Sequence, residues 1–227
     1  MALNIKRLKK NEIEWLWDNR CKKHSHRYLE HYSCFLHENP QNSPLYEKVG
    51  FLDIESTGLQ ADFCFILSYK IKEMNGKILG RVLTPNEIRN GTFDKKLLKE
   101  CVEDMRKFDR IVVFYGSDYK FDIPTLRTRT LRYNLDFPLY KEIKVTDLHP
   151  IIKKKFNLHN NRLMTACSFF GIESKGHMMN PDMWMGAISG NKKALDWVKI
   201  HNEEDVISTE KLYLKVIDFV SKSNTSI

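Results

Sequence analysis

Two carboxylates two residues apart can share one cation site: Asp53 and Glu55, in the run Phe51-Leu52-Asp53-Ile54-Glu55-Ser56-Thr57-Gly58. Alternate side chains of a strand share a face, so these acids project together while Leu52 and Ile54 enter a core. Paired carboxylates on a buried-type strand repel each other and lose hydration unless cations sit between them. Hard oxygen donors of this kind suit magnesium or manganese. Alone, such a pair more commonly marks a solvated strand face, and acids further along the chain change that balance.

Phe121-Asp122 follows the apolar run that ends at Tyr115 and opens the stretch Ile123-Pro124-Thr125-Leu126, which places a third acid at a strand-to-helix junction. Asp122 could equally serve as a helix N-cap, and the two roles are compatible. His201-Asn202-Glu203-Glu204-Asp205-Val206 lies in a helical pattern, where His201 and Asp205, four apart, face the same way. A fourth acid thus gains a neighbouring base. Read blandly, the same acidic cluster is a solvated helix face.

The elements that must position these groups can be read from patterning. Residues 49–57 have the dense apolar character of a buried strand, and 63–73 and 77–84 form two more around the hairpin signal Asn75-Gly76. Residues 94–108 place Leu97, Leu98, Cys101, Val102 and Met105 at helical spacing, and 110–115 form a short apolar strand. Helix 123–133, strand 143–146, helix 162–170 stopped by Gly171, and helix 191–220 complete an α/β alternation. The expected architecture is a mixed sheet, three antiparallel strands and then parallel ones, flanked by helices.

Asp53-Ile54-Glu55, Phe121-Asp122 and the segment from His201 to Asp205 stand in the order of the three motifs of DEDD exonucleases, the DnaQ-like branch of the ribonuclease H-like superfamily. The chain from 49 to 220 resembles that family. Gly171-Ile172, Lys175-Gly176, Trp184 and Gly190 look like the bacterial and phage members related to the exonuclease domain of family B polymerases. The resemblance implies a ribonuclease H-like fold and 3′-5′ hydrolysis of phosphodiester bonds. It further implies that Asp53, Glu55, Asp122 and Asp205 hold two Mg²⁺ or Mn²⁺ ions, Asp53 bridging them. Ser56, Thr57, Gly58 and Lys175 are the expected substrate contacts.

The family positions its water with a tyrosine four residues before the last acid or a histidine five before; here His201 takes the tyrosine slot and Ile200 the other. His201 is the first choice for general base and His177 the second. Ser117 stands where the second motif usually carries asparagine. Single-stranded DNA is the slightly preferred expected substrate; an exoribonuclease, an endonuclease and a non-catalytic nucleic-acid-binding module on the same fold are the alternatives.

The first 44 residues read as a separate extension ending in a linker at 39–44, with the nuclease domain spanning 45–227. They hold His24, His26, His31 and His37, four of the chain's eight histidines, with Cys21 and Cys34. Cys21-x2-His24 and His31-x2-Cys34 suit a tetrahedral structural Zn²⁺, with His26 and His37 as alternative nitrogens; an ordinary packed segment is the competing reading. Trp15, Leu16 and Trp17 read as one helix packing on the domain, with base stacking the lesser option. Arg127, Arg129 and Arg132 could contact phosphates or form a solvated helix face.

Composition agrees with a globular nucleic-acid-binding chain: 29% charged and 42% hydrophobic residues, a formal charge of +8 and a pI near 9.1. Five dispersed cysteines argue for reduced thiols. With no apolar stretch long enough to span a bilayer, a cytoplasmic setting of bacterial or phage-like type is expected, with nucleic acid as the partner and no membrane.

Overall fold

A computed structural model describes residues 10–38, 47–117, 120–173 and 180–219. The expected linker at 39–44 and the residues Lys175 and His177 lie outside them. Two compact units divide the chain, Met1–Lys48 and Val49–Ile227.

The larger unit is built on a five-stranded sheet: β1 (Val49–Ser56), β2 (Ile66–Glu73), β3 (Ile78–Val82), β4 (Arg110–Val113) and β5 (Lys144–Asp147). Their order is β3-β2-β1-β4-β5; β1, β2 and β3 pair antiparallel, and β4 and β5 run parallel to β1. This is the expected mixed sheet. Asn75 supplies the left-handed turn of the β2–β3 hairpin at φ 54°.

Strand β1 sets the logic of the unit, because its two faces enter different layers. Leu52 and Ile54 pack with Leu97, Leu98, Cys101, Met105, Ile123 and Leu126, from the helices α4 (Lys95–Met105) and α5 (Asp122–Arg132). Val49 and Phe51 pack on the other side with Val206, Leu212, Tyr213 and Val216 of α9 (Lys192–Val216). The period of two carries that second face onward to Asp53 and Glu55, which therefore sit at the α9 side where the apolar layer ends.

Helix α9 is tied to β2 by a row of polar contacts at every second strand residue. Ser68 Oγ donates to Asn202 Oδ1 at 2.8 Å, Lys70 Nζ meets Glu203 at 2.7 Å, and Lys72 Nζ meets Glu210 at 3.0 Å. Lys70 is only 4% exposed, so its ion pair is largely desolvated and depends on the good geometry of its partner.

Three further helices of this unit have no counterpart among the elements expected from the sequence. Helix α3 (Pro85–Arg89) opens on a capping box between Thr84 and Glu87, which ends the third strand at Val82, short of the expected 84. Helix α6 (Leu148–Lys155) is capped by Asp147, and α8 (Pro181–Ile188) by Asn180. Helix α7 (Leu163–Phe169) matches the expected 162–170 and is followed by Gly171 at φ 70°; a fourth unforeseen helix lies in the smaller unit, where α2 (Tyr32–Glu38) follows α1 (Lys10–Asp18).

In that smaller unit Leu16, Cys21, Tyr28, Tyr32, Cys34 and Phe35 form a core of their own. Only the middle of the Trp15-Leu16-Trp17 triplet is buried: Trp15 lies stacked on Tyr28 and Trp17 lies under Arg27, both about half exposed. The expected helix is present, with the leucine as the buried member of the triplet, since a helix presents three consecutive residues on three different sides.

Candidate active site

The chemistry-bearing residues of the larger unit converge at the carboxyl end of β1. Glu55 Oε1 lies 3.6 Å from His201 Nε2, and the same nitrogen lies 3.8 Å from Asp205 Oδ2. One donor atom from each of Glu55, His201 and Asp205 falls within 4.8 Å of the others. His201 is 5% exposed, and Trp197, one helical turn earlier, stacks on its ring at 5.2 Å and 14°. The indole holds the imidazole plane, leaving Nε2 directed at the two acids.

Asp53 joins this group through Asn202, whose Nδ2 donates to Asp53 Oδ2 at 2.6 Å. Because Asn202 is fully buried and its oxygen accepts from Ser68, both ends of the amide are used, and the amide can present Asp53 in one orientation only. Asn202 is not among the residues singled out from the sequence. The signal was there: it interrupts the apolar stripe of Leu195, Val198 and Val206 on α9, and a polar residue in such a stripe needs a buried partner.

Asp122 does not cap α5; the N-cap is Phe121, without a side-chain bond. Instead Asp122 Oδ1 accepts the backbone N–H of Ile54 at 3.3 Å, between Asp53 and Glu55. Burial, then the nearby charges of Asp147 and Asp205, push its carboxyl up to about 8 against the restraining Ile54 bond. A buried acid this reluctant to ionise beside other acids is what a cation-binding donor set looks like in the absence of its cation, so the residues fit a divalent metal.

Gly116 makes room for that carboxylate. A Cβ placed on Gly116 would stand 1.9 Å from Asp122 Oδ2 and 2.8 Å from Val113 Cβ, so any larger residue there must displace the Asp122 carboxylate. The backbone on either side of it is held by Asp147: Oδ1 accepts from Tyr115 N at 2.9 Å and from His149 N at 2.9 Å, and Oδ2 from Ser117 N at 3.1 Å. Asp147, like Asn202, was not foreseen. With three N–H donors on its two oxygens it is a clamp on the loop after β4 as well as the cap of α6.

The other expected contacts fall into place differently. Ser56 Oγ donates to Gly58 O at 2.6 Å, and Thr57 Oγ1 accepts from Phe65 N at 3.1 Å, so both hydroxyls fold the β1–β2 connection. Neither reading of Arg129 holds, because it is 5% exposed and forks onto Asp94, Nε to Oδ2 at 2.9 Å and Nη2 to Oδ1 at 2.7 Å. Its Nη1 reaches Ala61 O at 3.2 Å, which anchors the same connection. Arg127 lies over Phe137, and Arg132 is exposed.

In the smaller unit Cys34 Sγ lies 3.0 Å from His31 Nδ1 and 3.4 Å from His24 Nδ1, and His24 Nδ1 lies 3.7 Å from Cys21 Sγ. Tetrahedral zinc with its usual bond lengths separates its ligand atoms by roughly 3.4–3.8 Å. The donor atoms of Cys21, His24 and Cys34 lie within 4.8 Å of one another, and those of His26, His31 and Cys34 form a second such set, so Cys34 is common to both and His31 groups with His26, whose ring it meets at 4.7 Å.

Comparison with known proteins agrees with this architecture. Residues 50–217 match the family described as the RNase_H superfamily, and the chain belongs to it. No curated protein matches. Among solved structures, the family B DNA polymerase from the hyperthermophilic archaeon Pyrobaculum calidifontis aligns with a TM-score of 0.63 at 16% identity, over 78% of this chain and 25% of that one. E. coli exonuclease I in complex with a dT13 oligonucleotide aligns at 0.48 and 13%, over 75% of this chain and 41% of that one. The chain thus spans about a quarter of the polymerase and well under half of the exonuclease, and the polymerase likeness speaks to the fold.

Proposed function

We propose that the Val49–Ile227 unit is a DEDD-type 3′-5′ exonuclease dependent on two Mg²⁺ or Mn²⁺ ions, with single-stranded DNA as the slightly preferred substrate. The observation that carries this reading is the meeting of Glu55, His201 and Asp205, with Asp53 brought in by Asn202 and Asp122 by Ile54. Bound divalent ions would lower the pKa of a water and neutralise charge on the leaving 3′ oxygen. Asp53, Glu55, Asp122 and Asp205 would hold them. His201 Nε2 would take the water's proton, its ring fixed by Trp197 and its charge, once formed, balanced by Glu55 and Asp205. Asn202 would keep one Asp53 oxygen oriented.

Supporting the nucleic-acid assignment are membership of the RNase_H superfamily and the +8 charge. No helix among the described residues is long and apolar enough to cross a membrane. The smaller unit would hold one structural Zn²⁺ through Cys21, His24, His31 and Cys34, because Cys34 touches both histidine nitrogens and Cys21 touches one of them. Metal analysis of the purified protein should give about one zinc per chain, lost in Cys21→Ser with Cys34→Ser; equal zinc in parent and variant would remove this assignment.

The nuclease reading is tested with 5′-labelled single-stranded and duplex DNA and RNA, in Mn²⁺ or EDTA, beside Asp53→Ala. A metal-dependent ladder of shortened, still-labelled products, absent in Asp53→Ala, is the expected result. Immediate release of labelled mononucleotide would reverse the polarity, cutting of circular DNA would make it an endonuclease, and metal-independent binding without products would leave a non-catalytic module.

A further inference from the structure

Tyr115, Asp147, His149 and Lys120 meet at the loop that follows β4, and the hydrolytic step uses none of them. Tyr115 adopts φ 65°, a left-handed conformation that a bulky side chain occupies at a cost, and its ring remains 46% exposed. Asp147, 8% exposed, holds that strained backbone by accepting from Tyr115 N and Ser117 N. His149 stands edge-on to the Tyr115 ring at 4.7 Å, and Lys120 Nζ lies 4.6 Å from the ring centroid. The next residue, Gly116, carries the backbone against the Asp122 carboxylate.

This combination does not look like packing. An exposed tyrosine gains little stability from burial, and glycine would adopt φ 65° without strain. The fold nevertheless holds an aromatic ring in place here, at the carboxyl ends of parallel strands β4 and β5, where sheets of this kind present their ligand crevice. Lys120 lies over one face of the ring, and an aromatic ring with an ammonium at hand suits single-stranded nucleic acid: a base stacks on the aromatic surface while the flexible lysine turns from the ring to the neighbouring phosphate.

We propose that Tyr115, braced by His149 and accompanied by Lys120, is a stacking subsite for a base of single-stranded nucleic acid within a few nucleotides of the cleaved bond, with Asp147 as its positioning residue. The subsite deepens the nuclease assignment and rests on it for its location, yet strand binding can be measured without hydrolysis. Because every base has a π-face, the subsite selects for unpaired strand and is indifferent to sequence. A base held in a duplex has no free face to offer, so the preference for single strands would arise here and not at the acids.

Tyr115→Gly isolates the ring, since it relaxes the backbone while deleting the side chain. We expect its melting temperature to be no lower than the parent's, its KM for single-stranded oligonucleotide to rise about tenfold, and its kcat to change little. Tyr115→Phe should behave as the parent. Single abasic substitutions along the four 3′-terminal nucleotides should weaken the parent at one position and leave Tyr115→Gly indifferent to that same position. Lys120→Ala should lower the salt dependence of binding by about one phosphate contact.

All four proteins are also compared for anisotropy of a labelled DNA or RNA strand in the Asp53→Ala background with EDTA. If Tyr115→Gly binds both strands as tightly as its parent there, or if a lower melting temperature accounts for the whole loss while Tyr115→Phe fails to restore it, the subsite is refuted even where the nuclease activity is confirmed. Weakened binding by Tyr115→Gly in that background, with the parent carrying Asp53 hydrolysing nothing in Mn²⁺, would retain the subsite and overturn the exonuclease instead.

Discussion

Asp122 is the residue whose chemistry depends most on what surrounds it. In the metal-free protein its carboxyl is raised from 3.8 to about 8, so the folded state binds a proton that the unfolded state has released throughout that window. Its ionisation therefore costs nothing below about pH 4, costs more as pH rises, and reaches its full cost near pH 8. Asp122→Asn keeps an oxygen for the Ile54 N–H and removes the charge. In EDTA it should be more stable than the parent at pH 8 by an amount on the order of a few kcal/mol, with the gap closing towards pH 4; urea melts at three pH values would check it. Saturating Mn²⁺ should reverse the order, because only the parent offers the carboxylate. Asn202→Ala should reduce apparent Mn²⁺ affinity or turnover by about 10–100-fold with little loss of secondary structure, read by metal titration of activity. A fall in stability with unchanged metal dependence would make Asn202 a packing residue only. The four acids were legible in the sequence as motifs in the family's order, although periodicity alone did not separate Asp205 from Glu203 and Glu204. Asn202 and Asp147 were not, because a residue that orients another is defined by a partner 149 or 32 positions away.

At the scale of elements, the long and strongly patterned segments emerged from the sequence nearly whole: β1, the β2–β3 hairpin, α4, α5 and α9 lie within a few residues of expectation. The short helices α3, α6 and α8 have 5, 8 and 8 residues, too brief for periodicity to stand out, although Thr84-Pro85-Asn86-Glu87 and Asn180-Pro181 carry start signals. Arg129 illustrates the other failure, for nothing local distinguishes it from Arg127 and Arg132 until Asp94 is known to be fully buried beneath it. Asp94 Oδ2 also accepts the Ile66 N–H at 2.9 Å, so this pair joins α5, β2 and the β1–β2 connection. Asp94→Ala leaves a buried guanidinium without its partner and should destabilise the larger unit by about 3–5 kcal/mol in chemical denaturation. A cost under 1 kcal/mol would mean that the fork contributes little. Gly116→Ala acts on the β4–α5 junction by steric displacement of Asp122, and we expect loss of most metal-dependent turnover while the sheet remains folded by circular dichroism.

For the whole molecule, the two units have separate hydrophobic cores, so their failures should be separable. Cys21→Ser with Cys34→Ser should lose zinc and the folding of the smaller unit while Mn²⁺-dependent turnover by the larger unit persists; loss of both together, followed by activity and zinc content on the same preparation, would show that the two depend on each other. Within the larger unit, folding and function are specified by one alternation. Val49 and Phe51 occupy the face of β1 that ends in Asp53 and Glu55, while Leu52 and Ile54 fill the opposite layer. If the β1–β2 pairing slipped by a single residue, both acids would enter the aliphatic layer under α4 and the aliphatic pair would face Asn202 and His201. No stable but inactive register is open to this chain. Errors of assembly would surface as unfolded protein subject to turnover, and molecules that persist in a population would nearly all be competent ones.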